Sequence, residues 1–282
     1  MRTIVSPRPL EADTPIYLER IESLPVDLIE ISEEARRFHQ ESLLRGAYRN
    51  HVTAEEVRWP EGPRGVSYFQ MAGLSLQVLA PDRDFDLVVF VTATPDCQLT
   101  HFAGPRFDEE LPDGAGIMGI GDHGVAGPFT ALRLVVNHLR NGLAERALVL
   151  AMEQGMLPIL PGQLRVPNDS AVAMVVSLRG GMRIDRLAVE RNRRPEPAPD
   201  QPSDALLVQG AGGDFLEAQR FSDIRKPETT YACTGVWERL AAALGDTAWP
   251  RIVLADADPH LPYRCLAEFT ADPESTAEER TP

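Results

Sequence analysis

Three unbroken apolar runs constrain this chain more than anything else in it: Asp86 to Ala93 (DLVVFVTA), Arg146 to Met152 (RALVLAM) and Ala171 to Leu178 (AVAMVVSL). Each has the length of a strand, is rich in β-branched residues and does not alternate apolar with polar. A strand with one wet face alternates, so these segments need cover on both faces, which helices above and below a sheet provide. Ala126 to Gly142 has the other period. Phe129, Leu132, Val135, Val136 and Leu139 recur at helical spacing, while Arg133 and Arg140 lie off the stripe. Pro128 falls in the first turn, where its missing N–H costs nothing, and Gly142 is placed to end the helix.

The remaining elements follow the same reasoning. Residues 65–80 (GVSYFQMAGLSLQVLA) read as a buried helix, 105–116 as loop or a short helix, and Gly116 to Ile120 as a strand. Met182 to Glu190 alternates as a strand does, Trp237 to Leu244 is helical, and Arg251 to Ala257 and Tyr263 to Phe269 are strands. Residues 1–57 read as polar and irregular, apart from a helical patch around Glu30 to Leu44. The stretch 191–204 (RNRRPEPAPDQPSD) carries four prolines and is expected to be an exposed connection. Strands alternating with helices predict an α/β protein.

Composition removes several function classes. Of 282 residues, 28 are Lys or Arg and 42 are Asp or Glu, a formal net charge of −14. A nucleic-acid binder needs a basic face to displace counterions, and an anionic membrane surface repels such a chain, so neither partner is expected. No apolar run has the length of a bilayer span, and Met1 to Glu19 lacks a signal-peptide core. Cys97, Cys233 and Cys265 are too widely spaced for a metal knuckle and odd in number for a disulfide framework. The expectation is a cytoplasmic protein with no metal or other cofactor.

Three blocks in order carry a resemblance. Asp86 to Asp96 (DLVVFVTATPD) resembles a strand and turn of the thiolase superfamily, most of all its ketoacyl-ACP synthase III branch, which commonly reads like IDLIIVATSTPD. Gly121 to Gln154 is similar to that family's nucleophile turn, the helix behind it and the next strand. Asn168 to Ser177 (NDSAVAMVVS) resembles its G-D-G-A-A-A-x-V-x-S block, and Arg251 to Phe269 matches the last two strands more weakly. The resemblance implies a layered α/β/α/β/α fold with a shortened C-terminal half. It also implies one domain over 1–270, built of two pseudo-repeats (1–155 and 156–270), with 271–282 a disordered acidic tail.

Chemistry in that family needs a Cys thiolate at a helix N-terminus, where the dipole lowers its pKa, and a later His and Asn that donate to the thioester carbonyl. All three positions are vacant here. Val125 stands at the nucleophile position, with Gly124 there if the alignment shifts by one. No histidine lies between His138 and His260, so the element carrying the family's His reads as deleted. The Asn-bearing block corresponds to Tyr231 to Val236 (YACTGV), and the family's late Gly-rich loop reads ADADPHLPY, Ala255 to Tyr263.

Other residues offer substitute chemistry. Asp122 and His123 precede the helix as an acid–base pair or as plain turn residues. Cys97 and Cys233 are either displaced nucleophiles or small buried apolar residues. Asp256, Asp258 and His260 suggest a metal cluster or, better, an acidic loop. Arg191 to Arg194 offer a carrier dock or a solvated loop.

In the family, as the resemblance implies, two subunits pair through the strand and helix around the nucleophile, and the turn after the first buried strand reaches the partner's acyl pocket. Here that turn is Cys97 to His101, with Leu99 at a pocket-lining position. The expected interface and pocket residues are Leu99, His101, Asp122, His123, Val125 and Phe129, with residues 116–136 at its centre. Dead chains that support a live partner occur as chain-length factors of type II polyketide synthases and in the two-subunit condensing enzyme of alkylquinolone biosynthesis. The expected partner is therefore an active ketoacyl synthase III-like subunit, and acyl carrier protein or acyl-CoA is met through it. Two alternatives stand beside this reading: a stand-alone acyltransferase or hydrolase with a displaced nucleophile, and a ligand-binding regulatory homodimer.

Overall fold

The computed structural model describes residues 9–11, 13–27, 29–30, 32–35, 37–38, 41, 64–94, 96–98, 102–112, 114–155, 168–191, 204–228, 233–246, 249–258 and 261–272. The first half supplies strands β1 (Tyr17–Ser23), β2 (Ile29–Glu30), β3 (Arg64–Gly65), β4 (Leu87–Thr92), β5 (Gly116–Gly121), β6 (Arg146–Glu153) and β7 (Ser170–Ser177). The second supplies β8 (Met182–Arg191), β9 (Leu206–Gln209), β10 (Asp223–Arg225), β11 (Arg251–Ala257) and β12 (Tyr263–Ala271). The helices are α1 (Tyr68–Val78), α2 (Ala103–Glu110), α3 (Ala126–Arg140) and α4 (Gly235–Asp246).

Ten strands form one continuous sheet in the order β10-β9-β11-β12-β8-β1-β7-β6-β4-β5, and β2 pairs with β3 in a separate ribbon. Outward from the β1/β8 junction the two halves repeat: β1-β7-β6-β4-β5 against β8-β12-β11-β9-β10. The directions repeat too, with β7 antiparallel to both its neighbours as β12 is to its own, and β6, β4 and β5 parallel as are β11, β9 and β10. Even the register repeats. Leu87 faces Ala147 as Leu206 faces Ile252, and Arg146 faces Ser177 as Arg251 faces Thr270. By that register Glu153, at the end of β6, is the counterpart of Asp258, just beyond β11.

Helices α3 and α4 form a middle layer. One packs on β4 and β6 and also on β8 and β12; the other packs on β1, β9 and β11. They meet at Phe129 and Trp237, whose ring centroids are 4.8 Å apart. The apolar stripe of α3 sets that position: Phe129, Leu132, Val135 and Leu139 are fully buried, and truncating one such leucine to alanine typically costs about 2–5 kcal/mol. Gly142 ends the helix at a φ of 66°, and its N–H reaches Leu139 O at 2.9 Å. On the outer face of the first half lie α1 and α2, with α1 started by a capping box between Ser67 and Gln70. The outer face of the second half (Leu207, Val253, Leu266 and their neighbours) is covered by 3₁₀ turns at Gly213–Phe215 and Ala218–Arg220. The fold is the expected layered α/β arrangement, with its C-terminal half shortened at this outer helical layer.

One expectation needs correction. Residues 1–57 are not irregular throughout, because β1 lies at the centre of the sheet between β7 and β8. Its charges obscure it: Glu19 bonds both Nε and Nη2 of Arg146, at 3.0 and 2.7 Å, and Arg146 stacks over Phe85. The interval before Cys233 holds β8, β9 and β10, with 3₁₀ turns between β9 and β10 where the first half carries α2. Asp256 lies in β11, the strand expected over Arg251 to Ala257, and Asp258 immediately follows it. Residues 33–35, 37–38 and 41 of the expected 30–44 patch are helical, while its residues 31, 36, 39–40 and 42–44, residues 192–203 and His260 lie outside the described residues. At the C-terminus β12 runs to Ala271 and the Tyr17 hydroxyl donates to Asp272 at 2.8 Å; residues 273–282 also lie outside.

Candidate functional site

The parallel strands of each half deliver the chain into a middle-layer helix. After β5 the turn Asp122–Val125 opens α3, and Cys233 and Thr234 open α4. A helix start leaves backbone N–H groups without intrahelical partners and carries the positive end of the dipole. Local side chains do not solve this for α3, whose N-cap residue Val125 makes no side-chain cap bond. The partner comes from the other half. Val125 N–H donates to Asp258 Oδ2 at 3.1 Å, while Leu261 N–H holds Oδ1 at 2.7 Å.

The same solution recurs at α4. Fully buried Glu153 accepts from Cys233 N–H at 3.0 Å, Thr234 N–H at 2.6 Å and the Thr234 hydroxyl at 2.7 Å. Glu153 and Asp258 are repeat counterparts, so each half closes the helix of the other with an equivalent carboxylate. Ser170 extends the α4 network, its hydroxyl lying 2.7 Å from Thr234 Oγ1 and in a very short contact with Glu238. Burial pushes the Glu238 carboxyl up.

Each expected site residue can now be placed. Asp122 is exposed with a φ of 55°, and no hydrogen bond joins it to His123. His123 stacks on Tyr263, their centroids 5.2 Å apart, so the two do not form an acid–base dyad. Val125 is 4% exposed with its side chain in the core, and Phe129 is wholly buried against Trp237. Leu99 and His101 lie outside the described residues. Cys97 is buried and its thiol is pushed up to about 12, by burial first and then by Asp96 and Asp169. Burial and the Glu153 charge raise Cys233 well above the ordinary thiol range. Both shifts disfavour the thiolate, the form a displaced nucleophile would need. Among the described residues no group of three or more His, Cys, Asp and Glu is placed to hold a metal ion.

Asp256 points at the turn after β9, accepting from Gly212 N–H at 3.1 Å and Ala257 N–H at 2.8 Å. A Cβ on Gly210 would lie 2.0 Å from its carboxyl carbon, so this close approach requires glycine. Burial raises Asp256 to about 6, and the neighbouring Asp258 charge adds to the rise.

No protein-family model matches the chain, and no curated protein matches it. Solved structures do. OleA from Xanthomonas campestris, in a form with bound lauric acid and lauroyl-CoA, superposes with a TM-score of 0.58 at 12% identity over 91% of this chain and 99% of its own. The 3-oxoacyl-(acyl carrier protein) synthase III, FabH, from Pseudomonas aeruginosa gives 0.59 at 15% identity over 92% and 99%. AbyA1, a tetronic acid condensing enzyme, gives 0.57 at 16% over 91% and 100%. The fold is thiolase-like, of the ketoacyl synthase III type.

In this thiolase-like frame, sequence reasoning missed both carboxylate caps. A signal for them was present: the two apolar strands of matching register end RALVLAME and RIVLADAD, each closing on an acid. No helix of the described residues is long and apolar enough to cross a membrane.

Proposed function

We propose that this chain is a non-catalytic, ketoacyl synthase III-like subunit that pairs with an active ketoacyl synthase in the cytoplasm. There it shapes or stabilises the partner's acyl pocket in secondary-metabolite biosynthesis of polyketide, fatty-acyl or quinolone type. One observation carries the reading: the helix start that would activate a nucleophile holds Val125, and its N–H is already bonded to Asp258. The raised Cys97 and Cys233 thiols support the same reading.

Pairing finds support at β5, the edge of the sheet among the described residues. Its sequence GIMGIG has no charge or proline to discourage a further strand, and Met118 is 37% exposed. An apolar interface of this kind is compatible with a net charge of −14, whereas acidic acyl carriers are repelled, so carrier or acyl-CoA is met on the partner.

The test is co-expression with an intact ketoacyl synthase III-like protein of the same genome. The expected result is a stable complex that turns over acyl thioesters, weakened by Met118→Lys without loss of this chain's own fold. A covalent acyl adduct on the isolated chain, or a self-sufficient homodimer indifferent to any synthase, would refute it.

A further inference from the structure

We propose that a proton bound at Glu238 completes a chain of four oxygens, Glu238–Ser170–Thr234–Glu153, and makes it a pH-sensitive clasp between the two halves of the fold. The number of hydrogens carries the inference. Ser170 Oγ touches Glu238 Oε1, Ser170 Oγ and Thr234 Oγ1 lie 2.7 Å apart, and Thr234 Oγ1 lies 2.7 Å from Glu153 Oε1. Each of the three contacts needs a hydrogen between its oxygens, and each hydroxyl carries one. Two hydroxyls serve two contacts. With both carboxylates ionised, the third would set lone pair against lone pair among buried residues, at the cost of an unmade bond.

The third proton belongs to Glu238. Glu153 Oε1 already accepts from the N–H groups of Cys233 and Thr234, at 3.0 and 2.6 Å, which leaves it no room for a hydrogen of its own. With Glu238 as the acid, every contact is served in one direction: Glu238 donates to Ser170, Ser170 to Thr234, and Thr234 to the Glu153 carboxylate. The clasp thereby ties α4 of the second half to β6 and β7 of the first, where Glu153 and Ser170 are register partners.

Among the described residues no cation pairs with Glu238 to hold it ionised. On its own helix Arg239 pairs with Glu228. On β1 Glu19 pairs with Arg146 of β6 and Arg20 with Glu22; on β11 Arg251 pairs with Glu268, and Asp256 is held by Gly212 and Ala257. Asp169, beside Ser170, accepts from Val66 and Gly155, β9 has no charged residue, and Arg133, His138 and Arg140 of α3 make no bond to Glu238. Burial acts in the same direction as the hydrogen count, raising the Glu238 carboxyl. Glu238 is only half-buried, so its proton exchanges with solvent and the clasp opens as pH rises through the raised value.

Glu238→Gln puts an amide N–H where the acid proton sits, a donor at every pH. Urea unfolding of both proteins between about pH 4 and pH 9 reads the proton, because stability falls with pH wherever the folded state binds more protons. The folding constant of the parent, relative to the variant, should fall about tenfold per pH unit from the ordinary glutamate value until Glu238 ionises, then level off. Hydrogen-exchange protection of the Thr234 amide should follow the same course in the parent and stay flat in the variant. A ratio that is independent of pH or rises with it overturns the proposal. If the variant does not fold, the parent alone decides: just above the ordinary glutamate range it should show an infrared carboxylic-acid band that moves on carbon-13 labelling of glutamate. No such band overturns the proposal as well.

Discussion

Replacing Glu153 by alanine takes away the acceptor of three hydrogen bonds at the start of α4. The Thr234 hydroxyl retains Ser170 as a partner, so the loss falls on the backbone N–H groups of Cys233 and Thr234. Both residues are buried, so water does not replace the carboxylate. Each orphaned buried donor costs about 1–3 kcal/mol, giving about 2–6 kcal/mol for the two. Glu153→Gln keeps one acceptor oxygen and loses only the charge assistance, about 1–2 kcal/mol. Domains are generally stable by only about 5–15 kcal/mol, so the alanine variant should sit near the edge of folding and the glutamine variant well within it. Equilibrium urea unfolding followed by tryptophan fluorescence and circular dichroism separates them, with m held constant. Equal losses for Ala and Gln, or an alanine loss under about 1 kcal/mol, would refute the account of Glu153 as the cap of α4.

Two further outcomes are expected. Because the folded-state Asp256 carboxyl is raised to about 6, its contribution to stability is full below the ordinary carboxylate range and is lost as pH rises through about 6. Asp256→Asn should therefore match the parent near pH 4 and exceed it by up to about 3 kcal/mol at pH 8 in urea titrations; a pH-independent difference removes the explanation. The buried thiols Cys97, Cys233 and Cys265 should resist iodoacetamide at neutral pH in the native protein and all react in urea, as mass spectrometry reads directly. Rapid native labelling of Cys97 or Cys233 would return a displaced nucleophile to consideration.

What the sequence discloses follows from how far apart the interacting groups lie. Strands β4, β6 and β7 and helix α3 are legible because each buries an unbroken or strictly periodic apolar set, a purely local property. Strand β1 (YLERIES) hides because Glu19, Arg20 and Glu22 interrupt it, and the burial of Arg146 that rationalises Glu19 is 127 residues away. Strand β9 spans only four residues between a proline-rich and a glycine-rich stretch, too short for any periodicity to register. The vacancy at Val125 is visible by resemblance; its closure is not, because Asp258 lies 133 residues further on and only the folded register brings the two together.

The crossed arrangement of Glu153 and Asp258 makes each half of the chain hold a missing piece of the other. A fragment ending near Gly180 would keep one carboxylate with nothing to bind and one helix with nothing to start it, and the complementary fragment would suffer the mirror-image defect. The two halves of the repeat are therefore not independent modules joined in tandem: a change at either carboxylate is expected to be felt at the helix of the opposite half.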